Sequence, residues 1–208
     1  MTWREIAAAA VIFPVGQNKN AGNNPAPAAI YNDLMGPDNA FAAVALPHLD
    51  AAFNLARWLT GSRAEAEDVV QEAMVRALTY FPSFRGGSSR AWILQIVRNT
   101  AYGALKARHG ERAVGSAAAG EAAAIEDIPD PTDDPETALI RSDDLARIDA
   151  LIEDLPVELR ETLVLRELEE LSYRDIAQVT SVPIGTVMSR LWRARRVLAR
   201  TAAREAKR

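Results

Sequence analysis

The stretch Ser172-Tyr173-Arg174-Asp175-Ile176-Ala177-Gln178-Val179-Thr180-Ser181-Val182-Pro183-Ile184-Gly185-Thr186-Val187-Met188-Ser189-Arg190-Leu191 decides the fold. Ser172 followed by Asp175 is a helix-start signal, and the apolar Ile176 with the small Ala177 suits a short helix that another helix approaches closely. Thr180-Ser181-Val182 reads as a turn, and Pro183 suits the opening of a second helix. In that helix Val187, Leu191, Ala194 and Leu198 fall on one face at helical spacing. Thr186, Ser189, Arg190 and Arg193 point the other way. This is the pattern of a helix-turn-helix. In such a motif the first half of the second helix enters the major groove with polar side chains toward base edges, and arginines further along hold phosphates. The plain alternative is a helical hairpin with a solvated basic face.

Outward from this stretch the same helical signals continue. Ile148, Leu151, Ile152 and Leu155 mark one helix. Pro156 suits the first turn of another, with Leu159, Leu163 and Val164 inward. Nearer the start, Leu49, Ala52, Phe53, Ala56 and Leu59 share a face that Gly61 ends, and Ser62 with Glu65 forms a capping box. The helix after it puts Ala66, Val69, Val70, Ala73, Met74, Ala77 and Leu78 inward. Glu65, Asp68, Gln71, Glu72 and Arg76 lie outside this stripe, and Pro82 breaks the helix. After the loop Arg85-Gly86-Gly87-Ser88-Ser89, Ser89 caps a helix to about Arg108, with Trp92, Ile93, Ile96, Val97, Thr100, Ala101 and Ala104 inward. No strand pattern and no repeat appears. The expected fold is all-α, with two small helical domains joined by a flexible acidic linker.

Charge divides the chain in the same way. The net charge is −4 over 208 residues, which alone argues against a polyanion binder. Residues 84–112, however, carry six bases and one acid, and residues 183–208 carry eight bases and one acid. Between them, residues 113–144 hold nine acids and one base. Two basic blocks around an acidic spacer suit two polyanion sites on one chain. The expected divisions are a poorly ordered arm over 1–40, rich in Asn, Gly, Pro and Ala, a domain over 41–110, an acidic linker over 111–135 and a domain over 136–204.

Other chemistries find little support. The chain has no cysteine and only His48 and His109, so neither a thiolate nucleophile nor a cysteine- or multi-histidine-ligated metal is available. No phosphate-cradling glycine loop or nucleophile–base set is present, so no enzyme, no catalytic residue, no metal and no cofactor are expected. No apolar run reaches the roughly 20 residues that span a bilayer. Ala7 to Val15 lacks the flanks of a secretory signal, so no membrane insertion and a cytoplasmic location are expected.

The motifs together resemble a known family. Leu155-Pro156, Leu171 to Ala177 and Pro183 to Arg195 resemble region 4 of extracytoplasmic-function (ECF) sigma factors. Ala66-Glu67-Asp68-Val69-Val70-Gln71-Glu72 resembles region 2.2. Phe84 to Gly87 and Trp92 to Ala101 resemble regions 2.3 and 2.4. The resemblance covers roughly residues 41–200. It implies a transcription initiation factor that binds bacterial core RNA polymerase, directs it to −10 and −35 promoter elements, assists melting of promoter DNA and answers to an anti-sigma factor. By the same resemblance Asp68, Gln71 and Glu72 dock on the polymerase. Their spacing puts all three on one helix face, which by itself also fits a merely solvated face. Arg98, Asn99, Tyr102, Lys106 and Arg108 are the candidates for the −10 element, where unpaired bases need cations and stacking surfaces. Trp92 fits the core better than a base. Pro183, Gly185, Thr186, Ser189, Arg190 and Arg193 are the candidates for the −35 element. Met188 and Ser181 depart from the pattern: the family often has Lys or Arg at the first position, and many helix-turn-helix turns have Gly at the second. The acidic linker could also shield the basic blocks when polymerase is absent. The competing reading is a polymerase-independent helix-turn-helix regulator, which leaves the region 2.2 motif unexplained.

Overall fold

The computed structural model describes residues 37–112 and 147–205, and every regular element among them is a helix. The expected arm and acidic linker fall almost wholly outside the described residues. The first half consists of α1 (Pro37–Ala45), a 3₁₀ turn at Leu46–His48, α2 (Leu49–Thr60), α3 (Arg63–Tyr80), a second 3₁₀ turn at Phe81–Ser83, and α4 (Ser89–Arg112). The second half has helix α5, described over 147–153, then α6 (Val157–Glu167), α7 (Tyr173–Thr180) and α8 (Ile184–Glu205).

Local chemistry explains most of these boundaries. Gly61, at φ +74°, ends α2 in the left-handed conformation that glycine adopts without steric cost. Ser62 then caps α3, its side chain accepting from the Glu65 backbone N–H at 3.5 Å. Ser172 caps α7 by accepting from the Asp175 N–H at 3.1 Å, and its hydroxyl donates to the Asp175 carboxylate at 2.6 Å. At the start of α4 the capping hydroxyl is that of Ser88, which accepts from Ala91 N–H, and not that of Ser89 as the sequence suggested. Ser89 instead lies within hydrogen-bonding distance of His48 Nε2, at 2.8 Å.

In the first half α2, α3 and α4 pack mutually, through Ala52, Leu55, Ala56 and Leu59 against Ala66, Val69, Ala73 and Ala77 and against Ile93, Leu94, Val97 and Ala101. A smaller cluster of Ala40, Val44, Phe81 and Phe84 closes the end near α1, and Trp92 packs into it with its ring centre 4.9 Å from that of Phe84. Trp92 is therefore a packing residue. In the second half Val187, Leu191, Ala194 and Leu198 of α8 are buried against α6 and α7, as their spacing predicts.

Two expected inward residues point outward. Leu78 is 49% exposed and Ala104 is also exposed. The buried stripe of α3 runs through Ala66, Val69, Ala73 and Ala77, and Leu78 sits a further 100° round the helix from Ala77. Its face is that of Asp68 and Gln71.

The two halves also pack on each other. α2 lies against α6, and α4 lies against α7. Buried side chains of both halves form a single contiguous cluster, in which Leu155, Leu163, Val164 and Leu165 join residues of α2 and α4.

Candidate nucleic-acid and polymerase interface

On α3 the residues Asp68, Gln71 and Glu72 are exposed and lie along one side of the helix. Glu72 is held toward Arg76, one turn on, at 2.5 Å. The same side continues into Val75, which is 67% exposed, and Leu78. Exposed apolar side chains beside an acidic and amide patch form a surface that nothing among the described residues covers. Hydrophobic periodicity missed the second part, because Leu78 also fits the inward pattern.

α8 carries the −35 candidates. Pro183 and Gly185 are exposed at its entry, and the Pro183 carbonyl accepts from Thr186 and Val187. The turn before it works without glycine, because Ser181 itself takes the left-handed conformation at φ +55°. Thr186 and Ser189 are half-buried, with the Ser189 hydroxyl donating to the Thr186 carbonyl at 2.9 Å, and Arg193 is exposed. On the neighbouring flank Ile184, Met188 and Trp192 stand out, the last two 54% and 59% exposed. The Arg196 guanidinium lies over the Trp192 ring at 4.8 Å, so this indole does not close the domain core.

α4 carries the −10 candidates, and they are not alike. Asn99 and Lys106 are exposed. Arg108 pairs with Glu65 of α3. Arg98 is turned inward, where its guanidinium lies 4.4 Å from the centre of the half-buried Tyr102 ring. Its Nε donates to Glu161 Oε2 at 2.7 Å and a second nitrogen donates to Oε1 at 3.2 Å. Arg190 of α8 reaches the same Oε1 at 3.1 Å. Glu161, on α6, is 0% exposed. One buried carboxylate thus holds the arginine from each of the two candidate DNA surfaces. Burial opposes the charge on Arg98, yet the Glu161 carboxylate keeps its pKa above the usual guanidinium value. Burial first, then the charge of Glu161, pushes the Tyr102 hydroxyl well above the usual phenol range, so it stays protonated at neutral pH.

A second buried carboxylate repeats the arrangement. Glu169, just after α6, accepts from Arg90 of α4 and, at 3.3 Å, from Asn54 of α2. Around them Arg160 donates to the Trp58 carbonyl at the end of α2 at 2.9 Å, and Gln95 of α4 donates to Ser181 at 3.2 Å. Sequence reasoning singled out neither glutamate. An acid on an amphipathic helix reads as solvated, and only the arginines of another element reveal otherwise. Among the described residues no group of three or more acids or histidines could hold a metal, and no helix is long and apolar enough to cross a membrane.

Comparison with known proteins agrees with this architecture. The family model for sigma-70 region 2 matches residues 45–110, and that for sigma-70 region 4 matches residues 145–198. The RNA polymerase sigma-H factor of Pseudomonas aeruginosa is 37% identical over 171 residues, covering 78% of this chain and 86% of that protein. The ECF RNA polymerase sigma-E factor of Haemophilus influenzae is 38% identical over 141 residues, covering 66% of this chain and 74% of that protein. Among solved structures, the sigma factor RpoE in complex with the anti-sigma factor NepR from Bartonella quintana is similar with TM-score 0.63 and 29% identity. The match covers 74% of this chain and 90% of that one. CnrH in complex with the cytosolic domain of CnrY shares the fold, with TM-score 0.57 at 22% identity over 85% of this chain and 94% of that one.

Proposed function

The chain belongs to the sigma-70 family, in its ECF branch, and from that premise we propose that it is a transcription initiation factor for bacterial core RNA polymerase. Region 2 docks on the polymerase through the exposed face of α3, where Asp68, Gln71 and Glu72 meet cations of the partner and Val75 and Leu78 meet apolar surface. Asn99 and Lys106 on α4 engage the −10 element, with Arg98, Tyr102 and Arg108 joining once their present partners are released. In region 4 Thr186, Ser189 and Arg193, joined by Arg190 once Glu161 releases it, read and clamp the −35 element, with Pro183 and Gly185 setting the entry of α8. Trp192 packs on the sugar-phosphate backbone beside them. The factor acts in the cytoplasm, uses no cofactor and is held by an anti-sigma factor that covers these faces. The division into 1–40, 41–110, 111–135 and 136–204 follows the charge blocks of the sequence, with the acidic linker between the two regions.

The observation that carries this reading is the pair of unlike surfaces on one chain: an exposed acidic-apolar helix face on α3 and a basic recognition helix at α8. A polymerase-independent regulator needs only the second. The test mixes purified full chain with sigma-free core polymerase and a promoter library. Promoter-specific transcripts are expected, and Asp68→Ala with Gln71→Ala should reduce them at least tenfold while leaving the free chain's affinity for duplex DNA as it is in the unaltered chain. Specific duplex binding without any polymerase-dependent transcript would instead establish the stand-alone regulator.

A further inference from the structure

We propose that Glu161 is an autoinhibitory latch: its buried carboxylate holds Arg98 of region 2 and Arg190 of region 4 together and so keeps the unbound chain closed and off promoter DNA. The inference rests on the reading of those two arginines as DNA contacts.

The geometry is that of competition for the same donors. A carboxylate and a phosphate offer a guanidinium the same pair of acceptor oxygens, and an arginine can satisfy only one of them with its fork. Arg98 presents its fork to Glu161 through two hydrogen bonds, and Arg190 adds a third to the same carboxylate. Because Glu161 has no exposure to water, its charge is stable only while both arginines remain with it. Pulling Arg98 to a phosphate parts the seam and brings Glu161 to water, and pulling Arg190 away leaves the still-buried carboxylate short of a partner, which favours the same opening. Closure and promoter binding therefore exclude each other at these residues. Other contacts cross the same seam and part with it: Glu169 with Arg90 and Asn54, Arg160 with the end of α2, and Gln95 with Ser181. Without Glu161 the same closure would set two guanidiniums facing each other with no counter-charge, which favours opening.

Two experiments on the full chain test this, both helped by its lack of cysteine. In the first, Gln95→Cys is combined with Ser181→Cys, whose parent side chains meet across the seam at 3.2 Å. A cysteine is shorter than the glutamine it replaces, so the thiols are joined through a short bis-methanethiosulfonate linker and not directly. The bridged chain is expected to lose at least tenfold in affinity for a duplex carrying both promoter elements, and to support no transcription with core polymerase. Reductant, which cleaves the linker's disulfides, should restore both. Full promoter binding by the bridged chain overturns the latch, and so does failure of the short linker to join the pair in the folded protein. In the second, Glu161→Gln removes the charge and keeps the shape. The affinity of the free chain for the duplex should rise about tenfold, the scale of one charge-assisted hydrogen bond. Dyes at Thr79→Cys and Ala202→Cys should move apart. Glu158→Gln, the same charge change at an exposed site on α6, should alter affinity less than twofold. Equal effects of the two variants, or an unchanged dye distance in Glu161→Gln, overturn the latch. If Glu161→Gln lacks a cooperative thermal transition, the bridged chain decides alone. Absence of promoter-specific transcripts from the unaltered chain is a separate result that sinks the sigma reading itself.

Discussion

Glu170 stands alone after α6 at φ +50°, exposed, in the left-handed region that side chains with a Cβ enter at a cost. Glu170→Gly should therefore stabilise the chain by about 1 kcal/mol, read as a raised urea midpoint at constant slope. His48 is a second residue whose setting has a consequence. Burial, and then the charge of Arg90, hold its pKa down to about 4, from about 6.5 in the unfolded chain. The unfolded chain binds more protons between these values. The contribution of a neutral His48 is thus complete above about pH 6.5 and is lost as pH falls toward 4. Because the ring is partly exposed, solvent screening reduces the loss to about 1–2 kcal/mol. His48→Gln should flatten the slope of unfolding free energy against pH in that window. An unchanged slope would show that the proton is taken up elsewhere.

Among the elements, α8 makes the sharpest prediction. Arg193 is exposed, with its neighbours Thr186 and Ser189 on the same side. Arg193→Ala should weaken binding of the polymerase–sigma complex to all promoters alike and lower the slope of log affinity against log salt by about 1 if it holds a phosphate. A change confined to one base position would make it a base reader instead. Helix limits were legible because their determinants are local: Gly61, Ser62 with Glu65, and Ser172 with Asp175 act within a turn of themselves. The inward faces of α2 and α8 were legible because a 3.6-residue period needs no knowledge of the partner. Leu78 was not, since on a helix with apolar residues on two adjacent faces periodicity does not say which of them its own core buries. Glu161 and Glu169 were not legible at all. Their meaning lies in Arg98, Arg190 and Arg90, which are remote in sequence. For the same reason Arg98 and Arg190 could be identified as cationic candidates while their common partner stayed hidden.

For the whole molecule, the single apolar cluster running through both halves predicts one unfolding event. Calorimetry on the full chain should give a single transition whose van't Hoff and calorimetric enthalpies agree. Two resolved transitions would mean that the halves hold each other only weakly. Glu161→Gln should bring such a division closer, by removing the buried charge that the seam is built around. The linker, the expected source of self-shielding, lies outside the described residues. Among the described residues, the carboxylate that holds Arg98 and Arg190 comes from α6, a helix of region 4 itself.

A carboxylate shared by two arginines also ties three codons together through descent. A lineage that replaces Glu161 with an apolar residue strands Arg98 and Arg190 in the seam, and one that loses either arginine leaves the Glu161 carboxylate short of counter-charge. Each change alone is penalised, so substitutions at 98, 161 and 190 should be inherited as a set. Chains that lack the acid should then carry some other means of restraint.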